Sequence, residues 1–179
     1  MGENMADIII RAEGLSSRAS ELKAGDSIRL TGTVYTSRDA AHKRIKALIE
    51  SGGKLPFELK GAVIYYAGPT QAKPGMVIGS CGPTTSGRMD PYAPLLMDNG
   101  LIGMIGKGDR SPAVYEAIKR NKGVYLCAIG GAGALYAGAV ESCEVIAFED
   151  LGCESVKRLF VRDFPLIVGI DSEGSSIFK

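Results

Sequence analysis

Apolar residues recur along the chain in short runs, each stopped by glycine, proline or a cluster of hydroxyls. The alternation in Ser27-Ile28-Arg29-Leu30-Thr31-Gly32-Thr33-Val34-Tyr35 predicts a half-buried strand with Ile28, Leu30 and Val34 turned inward. Ala62–Ala67, rich in β-branched and aromatic residues, predicts another. The unbroken apolar runs Met76–Gly79, Leu101–Ile105 and Gly123–Ala128 predict strands buried on both faces. Glu144–Phe148 reads as a further strand, Val156–Val161 and Pro165–Ile170 as two late strands able to pair, and Asp7–Ile10 as a short edge strand. Helical spacing appears between them. Thr36-Ser37-Arg38-Asp39 opens a helix to about Ser51, with Ala41, Ile45, Leu48 and Ile49 as its apolar stripe and Gly52-Gly53 as its stop. Asp90-Pro91 predicts a cap and first turn of a helix ending near Asn99-Gly100. Ser111-Pro112 starts one through Asn121, on which Glu116 and Arg120 are spaced to pair.

Strand–helix alternation in the middle of the chain predicts an α/β fold with a mainly parallel central sheet, and the extra strands at both ends predict a second β layer. No repeat or long linker divides the 179 residues, so one domain over residues 1–179 is expected. Apolar residues make up 45%, which excludes wholesale disorder. Lys and Arg total 21 against 20 Asp and Glu, which leaves no electrostatic footprint for nucleic acid or an acidic membrane. No run approaches the roughly 20 apolar residues of a membrane helix. Met1-Gly2-Glu3-Asn4 lacks a secretory pattern, and Ala6 breaks a myristoylation motif at Gly2, so a cytoplasmic protein is expected. Cys81, Cys127, Cys143 and Cys153 match no zinc spacing, and His42 is the one histidine. Three of the thiols read as small core residues. Cys81, within a polar loop, is the one to watch.

That loop is Ser80-Cys81-Gly82-Pro83-Thr84-Thr85-Ser86-Gly87-Arg88-Met89-Asp90. Hydroxyls can donate to or accept from a ligand oxygen, glycines admit close backbone approach, and the Arg88 fork suits a carboxylate. A polar turn closed by a surface arginine would use the same residues. Three other predicted strand ends carry related loops: Thr36-Ser37-Arg38, Gly106-Lys107-Gly108 and Gly130-Gly131. Parallel strands would gather all four at one sheet edge, where Arg38, Arg88 and Lys107 would converge on a dianion. His42, four residues after Arg38, shares its helix face and could serve as acid, base or carboxylate donor, or be a helix-face histidine bonded to water or backbone. Gly106-Lys107-Gly108-Asp109 is not a phosphate loop, since Gly108 stands where Ser or Thr is needed, and no nucleophile elbow is present.

Thr31–Arg44, Gly82–Asp90 and Ile105–Gly108 together resemble the β part of class I fumarate hydratases, a family shared with the L-tartrate dehydratase β subunit. The resemblance runs from about Gly25 to the last strands. It implies a swivelling β/β/α three-layer domain and a two-part hydro-lyase, with reversible hydration of fumarate to (S)-malate. It implies a [4Fe–4S] cluster carried by a separate α subunit and none bound by this chain. By the same resemblance Arg38, Arg88 and Lys107 bind the substrate carboxylates and Thr84 is the catalytic base. Thr85 and His42 are supporting candidates. A hetero-oligomer with the cluster-bearing subunit is implied, and a homodimer of this chain is a further expectation. Two alternatives stay open: an L-tartrate dehydratase β subunit, and a non-catalytic dicarboxylate-binding domain.

Overall fold

A computed structural model describes residues 6–178. The four residues read above for a targeting signal lie outside that range. The elements are β1 (Ile8–Arg11), α1 (Leu15–Arg18), β2 (Ser27–Thr36), α2 (Asp39–Ser51), β3 (Val63–Tyr65), α3 (Ala93–Asp98), β4 (Gly103–Gly106), α4 (Pro112–Asn121), β5 (Val124–Cys127), α5 (Gly133–Gly138), β6 (Val140–Ala147) and β7 (Val156–Ile170).

β2 organises the sheet. One edge pairs in parallel with β1 along its first half and with β3 at Tyr35 and Thr36. Its other edge pairs antiparallel with β7 almost end to end. β3, β4 and β5 follow in parallel, and the far half of β7 returns to β5. β2, β3, β4, β5 and β7 therefore close a ring, flanked by β1 and β6. The α/β class and the mostly parallel pairing match the expectation. The terminal strands, expected as a separate second layer, instead belong to this same sheet bent round on itself.

Side-chain alternation divides the interior in two. Val63, Tyr65, Ile105, Val124 and Leu126 point into the ring with Ile28, Leu30 and Val34 of β2. Ile64, Tyr66, Met104 and Tyr125, their odd-one-out neighbours, point outward under α2, α3 and α4. A strand buried on both faces reads as an unbroken apolar run, which is why β3, β4 and β5 were visible.

Four expectations are corrected. Val156–Val161 and Pro165–Ile170 are one strand, β7, and not a pair. Leu30 faces Phe164 and Gly32 faces Val161, so β7 holds an extra residue there, and Asp163 takes a positive φ of 49°. The bulge shifts the inward parity from Leu159 and Val161 to Phe164, Leu166 and Val168, which makes one strand read as two. Met76–Gly79 is irregular, with Met76 and Val77 about half exposed and only Ile78 buried. Arg88 lies in a 3-10 turn, Ser86–Met89, residues 90–92 continue as a turn, and α3 begins only at Ala93 rather than at Asp90-Pro91. Glu116 pairs with Lys119, while Arg120 crosses to Asp98 on α3.

Candidate functional site

β2, β3, β4 and β5 are adjacent and parallel, so their following residues emerge at one end of the ring. The loop Cys81–Met89 lies across that end. Tyr65 Oη donates to the Cys81 carbonyl, and Thr84 N donates to the Tyr66 carbonyl at 2.7 Å. Thr85 bridges Lys107 in parallel, and Ser86 N donates to the Lys107 carbonyl at 2.9 Å. Gly106 makes this contact possible, because a Cβ there would collide with Ser86 Oγ. Tyr125 Oη sits 2.8 Å from both Ser86 Oγ and the Gly108 carbonyl, so the hydroxyl loop and the lysine loop share one support.

The three expected cations lie along this arc. Lys107 runs over Gly130, where an added Cβ would sit 3.6 Å from Nζ. Arg88 is about half exposed and reaches Asp39, in the first turn of α2, at 3.6 Å. Arg38 immediately precedes Asp39 and lies on Gly68, where an added Cβ would meet Nη1 at 3.0 Å. Its Nε is 3.8 Å from Glu154. Thr84 is half-buried behind Thr85, which is exposed. An arc of two arginines, a lysine and two threonines can bind a small dicarboxylate and place a hydroxyl beside it. Two of the cations have acidic neighbours on this chain, a feature the sequence reading did not contain.

His42 is fully buried. Its Nδ1 lies 2.7 Å from Ser37 Oγ and 3.0 Å from the Arg38 carbonyl oxygen. A carbonyl can only accept, so this contact calls for the proton on Nδ1 and leaves Nε2 an acceptor without a partner among the described residues. Tyr66 and Tyr92 flank the ring. Burial pushes its pKa down to about 4, so the imidazole is neutral and anchors the backbone that carries Arg38.

Arg110 was missed. Its side chain is fully buried, donates from Nε to Asp90 at 2.7 Å, and lies against the rings of Tyr66 and Tyr125. The other Asp90 oxygen accepts from Ser111 N at 2.7 Å, so Asp90 ties down the residue that precedes α4 and does not cap the helix that follows it in sequence. This pair fastens the end of the hydroxyl loop to the lysine loop. An arginine in Gly-Asp-Arg-Ser reads as a turn residue, and nothing local announces its burial.

Cys81 is the most buried thiol, not the accessible one, and burial pushes its pKa up to about 12. Cys153 is exposed and Cys127 and Cys143 are half-buried. Among the described residues no group of three or more His, Cys, Asp or Glu side chains is placed to hold a metal ion. A cavity of about 860 Å³ opens at the start of β3 and β4, away from Thr84 and Lys107, among Glu13, Glu58, Lys60 and Arg158. None of Arg38, Arg88, Lys107 and Thr84 lines it, and the candidate site is assigned to the opposite end.

The family model described as "Fumarase C-terminus" matches residues 2–179. "Fumarate hydratase class I, anaerobic" of Escherichia coli is 39% identical over 165 residues, covering 91% of this chain and 30% of that protein. "Fumarate hydratase 1, mitochondrial" of Leishmania major is 40% identical over 154 residues, covering 85% of this chain and 28% of that protein. "Putative L(+)-tartrate dehydratase subunit beta" of Methanocaldococcus jannaschii is 39% identical over 165 residues, covering 89% of this chain and 85% of that protein. The chain thus spans under a third of those two fumarate hydratases and most of the tartrate dehydratase subunit.

Proposed function

Since the chain belongs to the fumarase C-terminus family, we propose that it is the β subunit of a two-part hydro-lyase that hydrates fumarate to (S)-malate and runs the reverse reaction. The observation that carries this reading is the arc of Arg38, Arg88, Lys107 and Thr84–Thr85 at one end of parallel strands. L-Tartrate as substrate, chemically the same dehydration, is the second reading.

In this reading the two arginine forks and Lys107 neutralise and orient the two substrate carboxylates. Thr84 exchanges a proton with the substrate carbon next to the one that carries the hydroxyl. A free threonine hydroxyl is a weak base, so the cations around it and the partner's groups must favour its alkoxide. The [4Fe–4S] cluster implied by the sequence resemblance finds no group of donors among the described residues and would sit on an α partner, closing the far wall of the site. The β subunit would then act as a cytoplasmic, swivelling module that opens and closes on that partner.

An anaerobic assay of the chain mixed with its cluster-bearing partner, on fumarate and on L-tartrate, tests this. Hydro-lyase activity is expected in the mixture and in neither subunit alone, and the faster substrate names the enzyme. Thr84→Ala in the assembled enzyme should lower kcat by at least about 100-fold with unchanged thermal stability. Turnover within a few-fold of wild type would remove Thr84 from the proton transfer. Tight dicarboxylate binding by the isolated chain, with no activity in any mixture, would favour a non-catalytic binding domain.

A further inference from the structure

Arg38 is held from behind by a small built device. Thr36, the last residue of β2, faces Lys157 in the β2–β7 ladder. The chain leaving β2 and the chain entering β7 therefore run side by side, and Arg38 meets Glu154. Both contacts between them are reinforced. Lys157 N donates to Thr36 Oγ1 at 3.2 Å, and Thr36 Oγ1 donates to the Ser155 carbonyl at 3.4 Å. Lys157, only 8% exposed, turns its ammonium back on the corner that presents Glu154. Its Nζ lies 3.1 Å from the Cys153 carbonyl, 3.3 Å from the Ser155 carbonyl and 2.8 Å from Ser155 Oγ. At its other end the 3-10 turn Glu149–Glu154 is strapped to α2, where Arg44 binds both oxygens of Asp150 and covers the Phe148 ring.

The result is a carboxylate placed beside the Nε edge of the Arg38 guanidinium. Arg38 Nε is buried with no hydrogen-bond partner among the described residues, and Glu154 Oε1 stands 3.8 Å away, near enough for attraction and too far for a hydrogen bond. Gly68 closes the face beneath it. Glu154 engages the Nε side, so the terminal nitrogens are the part of the fork left for an incoming carboxylate.

We propose that Glu154 is a positioning residue for the substrate-binding site: it orients Arg38 from the Nε side so that the guanidinium terminus is presented to one substrate carboxylate. This rests on the dicarboxylate hydro-lyase reading above. Glu154 takes no part in proton transfer, so its loss acts on substrate binding and spares the chemical step.

The test uses the enzyme assembled from this chain and its cluster-bearing partner, assayed anaerobically on whichever of fumarate and L-tartrate the wild type turns over faster. Glu154→Ala is expected to raise KM about tenfold with kcat within about twofold of wild type. Glu154→Gln, whose amide oxygen can accept from the same Nε, is expected to raise KM only about threefold. Glu154 is about one-third exposed, so the melting temperature of the assembled enzyme should not change. A KM for Glu154→Ala within twofold of wild type overturns the proposal. So does a fall in kcat and melting temperature at constant KM, which marks a merely structural role. A wild-type enzyme inactive on both substrates overturns the functional reading itself, and this inference with it.

Discussion

At the scale of single residues the proposed site separates groups assigned to an incoming ligand from groups that hold the first kind in place. Thr84, Thr85, Lys107 and Arg88 were singled out because hydroxyls and cations in a glycine-rich loop are chemically conspicuous. His42 was conspicuous as well, and its burial gives it a different consequence. Its folded pKa of about 4 lies below the unfolded 6.5. Between those values the unfolded chain takes up a proton that the folded chain refuses, so stability falls as pH falls from about 6.5 to about 4. The loss from this group is on the order of 3 kcal/mol at the acid end. Asp39 and Arg110 are the charged groups that act on it, with Tyr66 and Tyr92 against the ring. Urea unfolding of wild type and His42→Gln across that pH range checks this: the stability difference between them should change steadily, and a constant difference would refute a neutral buried imidazole. Arg110 was illegible for the opposite reason. Burial of an arginine depends on an aspartate and two tyrosines supplied by other elements.

At the scale of elements, helix limits were legible where local chemistry sets them. α2 ends at Gly52 with a φ of 69°, and α4 begins on Pro112, as read. α3 was misplaced because Asp90 was given to the nearest helix, whereas its carboxylate serves Arg110 and the N-terminus of α4. That assignment carries an energetic prediction. Arg110→Met would leave Asp90 beside an apolar wall with its ion partner gone, a loss of about 3 kcal/mol or more. Adding Asp90→Asn should recover part of it, giving a double variant less destabilised than the sum of the two single ones. Additive effects in denaturant unfolding would show the two residues to be uncoupled. β7 was split in the reading because the bulge at Asp163 inverts its alternation, and a two-residue period cannot be followed through an inserted residue.

At the scale of the whole molecule the closed ring places one end of four parallel strands under one set of loops. It also scatters the four cysteines. Cys81 is enclosed in the inner core, Cys127 lies on β5, Cys143 on β6 and Cys153 on the turn before β7. The isolated chain, purified anaerobically, is therefore expected to contain less than about 0.1 iron atom per chain, since cluster binding takes several converging thiolates. Stoichiometric iron with a cluster absorption spectrum would overturn the division of labour proposed between this chain and a cluster-bearing partner.

The sequence by itself determined the α/β class, the strands that are buried on both faces, the limits of α2 and α4, and the residue types gathered in the loops of the site. These rest on periodicity, caps and side-chain chemistry, which act between neighbours. Only the tertiary structure decided that the sheet closes on itself, that Asp90 and Arg110 meet across 20 residues, and that Thr36 is stitched to Ser155 across 119. It likewise set Glu154 behind Arg38. Each of these depends on which distant strand supplies the partner, and a local pattern of apolar and polar positions carries no record of that choice.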